Sequence, residues 1–339
     1  MQQRDREKLD TLVEKFTILL NSYSAVDLGR ELNPVDAFFA YRLLLGRNPD
    51  AITELPTLLS TQQTFREFLT NLLNSPEFYY SSRFFPPNRL LMAELDGFRF
   101  WFNTSDREMG VVMSLGLYEP SSVELTKKLI RPGMKCIDVG AQTGFYTCLM
   151  ASLIGETGKV YAFEPMPSSH GILAKNIREN NFEHIVQLYQ VAVSDVAATI
   201  DGVMVSNMYV IGHVDGAQKV KLETVRIDDV INEPINIIKI DIEGHEPSAI
   251  RGMQSLLLKD RPTIISEANE YWLHTCSNSN ANEYIELLRS FGYDVYNVEN
   301  LDEPITSNSL TLDILDKIDI VAFPSDTDLR RSLEEDTDE

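Results

Sequence analysis

The chain has 339 residues, more than one average domain, and 43% of them are hydrophobic, enough for a packed core in one large or two unequal domains. Its 51 acids against 30 lysines and arginines leave a formal charge of −21, which repels a phosphate backbone and argues against nucleic acid as a partner. No apolar run approaches the roughly 18 residues that span a bilayer, the N-terminus is charged rather than a signal core, and Cys136, Cys148 and Cys276 lack C-x-x-C spacing, so the expectation is a cytoplasmic protein that does not span a membrane and has neither structural zinc nor a disulfide framework.

In chain order, residues 4–20 carry Leu9, Leu12, Val13, Phe16, Leu19 and Leu20 at helical spacing. A second helix has a cap in Asn33, Pro34 at its first position and Asp36 complementing its dipole; it runs through Phe38, Phe39, Tyr41, Leu43 and Leu44 and stops at Gly46. A third covers Thr64 to Asn74. The stretch Phe85-Pro86-Pro87-Asn88 closes this all-helical unit, residues 1–85. Its wording, A-F-F-A-Y-R-L-L-L-G-R-N-P-D at 37–50 and L-L-N-S-P-E-F at 72–78, resembles a small helical domain of unknown function that accompanies glycan-building enzymes in bacteria. The resemblance implies a docking module for glycan-assembly proteins, with Arg42 and Arg47 solvated or paired rather than holding a ligand.

Residues 86–130 read as a linker and lead-in. Gly97 to Phe102 alternates like a strand, Val111-Val112-Met113 begins an element leading to Gly116-Leu117-Tyr118-Glu119, and a helix from Ser121 to Ile130 stops before Pro132-Gly133. From 131 to 325 the pattern is that of an α/β sheet. Strands are expected at 134–140, 159–164, 185–193, 235–242, 262–267, 293–298 and 318–323, and helices at 144–154, 167–180, 246–258 and 280–290. The interval 194–234 is too long to be structureless. Thr199 to Ser206 and Lys219 to Arg226 both alternate, which predicts an inserted hairpin facing the acceptor. Residues 326–339 are an acidic tail expected to be disordered.

Two stretches carry the chemistry. In the first, the apolar strand Cys136-Ile137-Asp138-Val139 meets Gly140-Ala141-Gln142-Thr143-Gly144 and a helix beginning at Phe145. Glycines at such a junction allow close approach of backbone to a ligand, and the helix start offers N–H groups. Glu164 closes the second strand 24 positions after Gly140, near the offset at which a carboxylate meets a ribose. The turn lacks the third glycine of a dinucleotide site, and no G-K-[ST] follows it. Asp138 repels a pyrophosphate and suits an amine, so S-adenosylmethionine is the expected cofactor. In the second stretch, Ile237 to Glu246, alternation predicts Lys239, Asp241 and Glu243 on one face of an otherwise apolar strand, where charge is costly unless paired or functional. Glu267 ends the neighbouring strand. A Lys–carboxylate pair locking two strand ends is the structural alternative to an acceptor site.

Read together, residues 89–324 resemble the FkbM family of S-adenosylmethionine-dependent methyltransferases. The matching pieces are Gly116 to Glu119, Ile137 to Tyr146, Ala162 to Pro165, Val225 to Asp229, Lys239 to Glu246, and Glu267. The resemblance implies a seven-stranded, Rossmann-like class I methyltransferase fold with helices on both faces, and O-methyl transfer to a sugar, glycan or other small hydroxylated acceptor. It implies that Asp138, Gly140, Gln142 and Gly144 hold the methionine end, with Phe145 and Tyr146 at the helix start. Glu164 then takes the ribose, while Pro165, Met166, Val193 and Ser194 flank the adenine. Gln142 replaces the family's usual Asn, and His245 stands where a small or variable residue is common. A hydroxyl acceptor needs a general base, a metal or both. Asp241, Glu243, His245 and Glu267 are the candidates, with Lys239 orienting a carboxylate or the acceptor. If a divalent cation such as Mg²⁺ takes part, Asp241 and Glu267 are its expected ligands. Two other classes remain open, a non-catalytic scaffold on the same fold and methylation of a protein or other small molecule. A nicotinamide oxidoreductase is disfavoured.

Overall fold

The computed structural model describes residues 30–41, 63–73, 89–95, 97–104, 106, 109–110, 112–114, 118–205, 208–211, 216–306, 310, 312–314, 316–327 and 330. The chain divides into two compact units, Met1–Pro120 and Ser121–Glu339. In the first, α1 (Pro34–Ala40) starts as its sequence dictates: the Asn33 side chain accepts the N–H groups of Val35 and Asp36 at 2.9 and 3.0 Å. Helix α2 (Phe65–Leu73) opens on a capping box. The Thr64 hydroxyl accepts the Glu67 N–H, and the Glu67 carboxylate accepts the Thr64 N–H. Phe65, Phe68 and Leu72 are buried, with Tyr41 stacked 6.1 Å from Phe68. The expected helix at 4–20, the stop at Gly46, and Arg42 and Arg47 lie outside the described residues. Strands β1 (Leu90–Leu95) and β2 (Phe98–Asn103) form an antiparallel hairpin. Only its second strand alternates clearly enough to be expected. The single helical turn α3 (Val112–Ser114) follows.

The second unit opens with α4 (Pro120–Leu129), then alternates β3 (Lys135–Val139), α5 (Phe145–Ile154), β4 (Lys159–Phe163), α6 (Pro167–Glu179) and β5 (Val186–Tyr189). The expected strand 185–193 is two, because β6 (Ala192–Val193) leaves the main sheet and pairs with the insertion instead. That insertion holds the expected hairpin, β7 (Thr199–Val205) and β9 (Gln218–Val225), with a third strand, β8 (Met208–Val210), on its edge; the sheet order is β6-β9-β7-β8. The short helix α7 (Ile227–Val230) leads to β10 (Ile237–Ile240). The expected helix 246–258 is broken into α8 (Glu246–Arg251) and α9 (Gln254–Asp260). At the break, a Cβ on Gly252 would stand 2.1 Å from the Ser194 carbonyl oxygen. After β11 (Thr263–Asn269) comes α10 (Glu270–Ser277), unforeseen because Leu273 alone of its residues is buried and no apolar stripe shows. Helix α11 (Ala281–Ser290), β12 (Tyr293–Asn297) and β13 (Lys317–Pro324) complete the unit.

The main sheet has seven strands in the order β12-β13-β11-β10-β3-β4-β5, with β13 antiparallel to both neighbours and the other strands running in one direction. This is the Rossmann-like class I methyltransferase arrangement. Ile137, Val139, Ile238, Ile240 and Ile264 from its centre pack with Ala249, Ile250, Leu257, Leu273 and Leu288 from the helices. Strand order reverses between β3 and β10, so the crevice beyond their carboxyl ends is where such a sheet holds its ligand. The register aligns those ends: Tyr189, Phe163, Val139, Ile240 and Ser266 are successive partners in one row. The next residues along four of those strands, Glu164, Gly140, Asp241 and Glu267, therefore share the following row. No helix among the described residues is long and apolar enough to cross a membrane. Cys136 and Cys148 are buried and Cys276 half-buried, all three as free thiols.

Candidate active site

The turn after β3 is closed by its own hydrogen bonds. The N–H groups of Gly140 and Ala141 both reach the Phe163 carbonyl at 3.0 Å, and that of Gly144 reaches the Ala141 carbonyl at 2.8 Å. The Gln142 N–H donates to Glu164 Oε2 at 2.8 Å, and the Thr143 N–H to Gln142 Oε1 at 3.2 Å. All five amides from 140 to 144 are thus committed within the protein, and a pyrophosphate would find no donor there. The glycines also serve a purpose other than ligand approach. With φ at 86°, Gly140 makes room for the Asp241 carbonyl oxygen, 1.9 Å from where a Cβ would be; at Gly144 a Cβ would meet Leu173 of α6 at 2.3 Å.

Asp138, 2% exposed, accepts the Thr147 hydroxyl and the Thr147 N–H, so its carboxylate anchors the first turn of α5. Burial lifts its pKa to about 6, against the pull of Thr147 and Lys239. The charge pattern predicts this acid facing a ligand amine; in the structure it meets the helix it precedes and the ammonium of Lys239 on the neighbouring strand. Glu164 is buried at the end of β4, its Oε1 accepting the Met166 N–H at 2.7 Å and its Oε2 the Gln142 N–H. Burial raises it to about 7, with those two N–H groups opposing. Phe145 and Tyr146 are buried edge to face at the start of α5, Pro165 is half-buried, Met166 buried, and Val193 and Ser194 are buried after β6.

Beyond β10 the expected alternation fails. The strand ends at Ile240, the Asp241 N–H donates to the Val139 carbonyl at 2.9 Å, and the chain turns through Glu243 and Gly244 with φ of 50° and 89°. Glu243 is therefore on a turn, not on a strand face with Lys239. Gly244 is required because a Cβ there would stand 2.1 Å from the Trp272 carbonyl oxygen. Glu246, buried, accepts the Ile242 N–H at 3.0 Å and fastens the turn. Lys239 is 2% exposed, 3.4 Å from Asp241 Oδ2, and its ammonium lies 4.9 Å from the Tyr146 ring centre. Burial, then Asp241 and Glu267, hold Glu243 far above the carboxylate range; burial, then Asp241, raise Glu267. Glu267 Oε1 accepts from Asn269 at 3.0 Å and its Oε2 from Lys317 at 2.5 Å.

The structure thus brings Lys239, Asp241, Glu243 and Glu267 into one electrostatic group and leaves His245 outside it. The His245 Nε2 lies 3.0 Å from the Ser194 hydroxyl, and the charges acting on the ring are Asp195 and Arg251. Burial pushes that imidazole down to about 4. Sequence reasoning missed Lys317 and Asn269, which stand opposite one another in the β11–β13 register, and Thr147, which follows Asp138 at nine positions. His184 pairs with Glu156 at the surface.

S-adenosylmethionine fits this donor side. Each Glu164 oxygen takes one N–H, and an ionised carboxylate has further lone pairs for two vicinal hydroxyls. The turn asks for a ligand without a phosphate. A divalent ion fits less well: both Glu267 oxygens are taken by Asn269 and Lys317, and Asp241 faces the buried ammonium of Lys239. An ion between Asp241 and Glu267 would displace an existing cation.

Residues 138–295 match the family model described as the Methyltransferase FkbM domain. Among curated proteins, the chain is similar to a Protein-L-isoaspartate O-methyltransferase of Aeropyrum pernix, 33% identical over 58 residues, covering 17% of this chain and 22% of that one. It is also similar to the Ribosomal RNA large subunit methyltransferase E of Alkalilimnicola ehrlichii, 32% identical over 88 residues, covering 23% of this chain and 42% of that one. The chain spans less than half the length of these curated relatives. A solved structure of Methyltransferase FkbM from Methylobacillus flagellatus KT aligns with 62% of this chain and 54% of its own, at 16% identity and a TM-score of 0.38. The matched segment contains the glycine turn, Glu164 and the Lys239–Glu267 group, and it is similar to the Methyltransferase FkbM domain.

Proposed function

We propose that the protein transfers a methyl group from S-adenosylmethionine to a hydroxyl of a sugar, glycan or glycosylated small molecule. The observation that carries the reading is the set of acids at the strand ends, Glu164 on the nucleotide half and Asp241 and Glu267 on the other with Glu243 on the adjoining turn, and an amide-saturated turn between the halves. When bound, the cofactor supplies an electrophilic methyl on a sulfonium centre. The chain's part is to hold ribose hydroxyls on Glu164, to place the acceptor oxygen about 3 Å from the methyl carbon on the sulfonium axis, and to receive the hydroxyl proton on a carboxylate. That carboxylate is Asp241, whose charge, together with burial, lifts both Glu243 and Glu267. Carboxylates also suit a sugar, since each can accept from adjacent hydroxyls. The first unit serves in this reading as a docking module for glycan-assembly proteins. The setting is cytoplasmic, where nucleotide sugars are at hand.

The test is a methyl-transfer screen over sugars and nucleotide sugars, with and without magnesium, read as S-adenosylhomocysteine release. Transfer only to proteins would replace the sugar reading, and donor binding without any turnover would favour the scaffold.

Glu164 gives a pH dependence of known sign. A carboxyl raised in the fold stays protonated until the pH passes about 7, so its contribution to the stability of the empty protein is lost as pH rises from the ordinary carboxylate range through 7. The ionised form made above 7 is the one that accepts ribose hydroxyls best. Affinity for S-adenosylhomocysteine, measured by calorimetry, should therefore improve about ten-fold from pH 6 to pH 8. Glu164→Gln should flatten that dependence. A pH-independent affinity in the wild type would remove Glu164 from the ribose.

A further inference from the structure

His245 is a misfit in its surroundings. The residue is 8% exposed, its ring is held neutral, and its Nδ1 has no hydrogen-bond partner. An orphaned buried nitrogen costs roughly 1–3 kcal/mol, so an apolar residue would serve the fold as well or better. Local departures of this kind are expected where function is served.

What the ring does hold is the Ser194 hydroxyl, at 3.0 Å. That hydroxyl donates its one hydrogen to Asp195 Oδ1 at 3.2 Å, so the His245 Nε2 must be the donor to Ser194 and Nδ1 the bare nitrogen. The two partners come from opposite halves of the sheet. Ser194 follows β5 and β6, on the nucleotide side of the reversal in strand order, whereas His245 follows β10 on the other side. The same loop is gripped once more: the Ser194 carbonyl occupies the space left by the absent side chain of Gly252, at the break between α8 and α9.

We propose that His245 is a positioning residue of the donor pocket, fixing the Ser194–Asp195 loop through a single hydrogen bond that crosses from the β10 side to the nucleotide side of the crevice. It acts on the donor, not as a base on the acceptor. The inference rests on the cofactor reading given above. Its chemistry asks only for an N–H directed at Ser194, which a Gln amide can also present and a Leu cannot.

The test is calorimetric titration of the full chain with S-adenosylhomocysteine, with thermal midpoints measured alongside. His245→Leu should weaken binding about ten-fold, the factor one hydrogen bond's worth of coupling gives, with an unchanged or higher midpoint. His245→Gln should bind within about three-fold of the wild type. Ser194→Ala should weaken binding as much as His245→Leu, and the double variant no further than either alone, because both remove the same bond. Wild-type affinity in His245→Leu, or additive losses in the double variant, would overturn the proposal. Should His245→Leu fail to fold, Ser194→Ala against the wild type decides the question. A folded wild type that does not bind S-adenosylhomocysteine would defeat the cofactor reading itself, and this proposal with it.

Discussion

Gly140→Ala is expected to lower the thermal midpoint by about 10 °C or more, or to prevent folding. The Cβ would be built 1.9 Å from the Asp241 carbonyl oxygen and 2.8 Å from Ile242 Cγ2. Relief requires more than 1 Å of separation between the ends of β3 and β10. That movement is blocked, because the Asp241 N–H is bonded to the Val139 carbonyl and Ile240 is paired with Val139 in the ladder. The left-handed φ of 86° adds about 1–2 kcal/mol for any L side chain. With overpacking at the upper end of its usual range, as fixed backbone demands, the sum reaches about 5 kcal/mol. Gly171 is the control. It lies in α6, a Cβ there meets nothing within 4 Å, and Gly171→Ala should leave the midpoint unchanged or raise it slightly. Equal midpoints for the two variants would show that the strand ends yield, and that the glycine is there for a ligand after all.

Asp241→Asn should reduce methyl transfer by about 10²–10⁴-fold, the range general-base removal gives, while S-adenosylhomocysteine affinity stays within about three-fold of the wild type. Asparagine keeps the shape and can still accept from Lys239, so the change isolates the charge. An alanine there would also remove the oxygen that the 2%-exposed ammonium faces and would confuse lost chemistry with lost stability. Glu246→Gln provides the comparison, since Glu246 fastens the same turn through the Ile242 N–H. It should cost stability and change the rate less. The assay uses whichever acceptor the screen yields. If Asp241→Asn loses donor affinity in proportion to its rate, Asp241 belongs to the scaffold of the crevice and not to the transfer.

The strand, turn and helix at 135–154 are legible because a mainly apolar run interrupted only by Asp138, two glycines and a helical stripe succeed one another within twenty residues. The order of the α/β elements was legible for the same reason. What failed did so where long-range contacts decide the local structure. Parity along 237–243 predicted Glu243 beside Lys239, but the strand stops at Ile240 because Asp241 is drawn onto Val139 and Gly244 onto Trp272. The continuous helix at 246–258 breaks at Gly252 because the Ser194 carbonyl lies against it. Lys317 and Asn269 reach Glu267 through an antiparallel register between strands fifty residues apart, and nothing local announces such a pairing. The glycine turn lies where the sequence places it, and the structure gives its glycines a further reason. Its residues yield to neighbouring backbone and to Leu173, and its bonding gives a firmer reason against a dinucleotide than the charge of Asp138 does.

The saturation of the turn from Gly140 to Gly144 bears on how the protein meets successive ligands. Amides that are already bonded have little reason to reorganise around an arriving molecule, so these five residues have less conformational freedom to lose on binding. The turn selects by the contour it presents and not by an attraction it switches on. When a spent donor departs, the surface it leaves is the one it found, and the next cycle starts from the same mould.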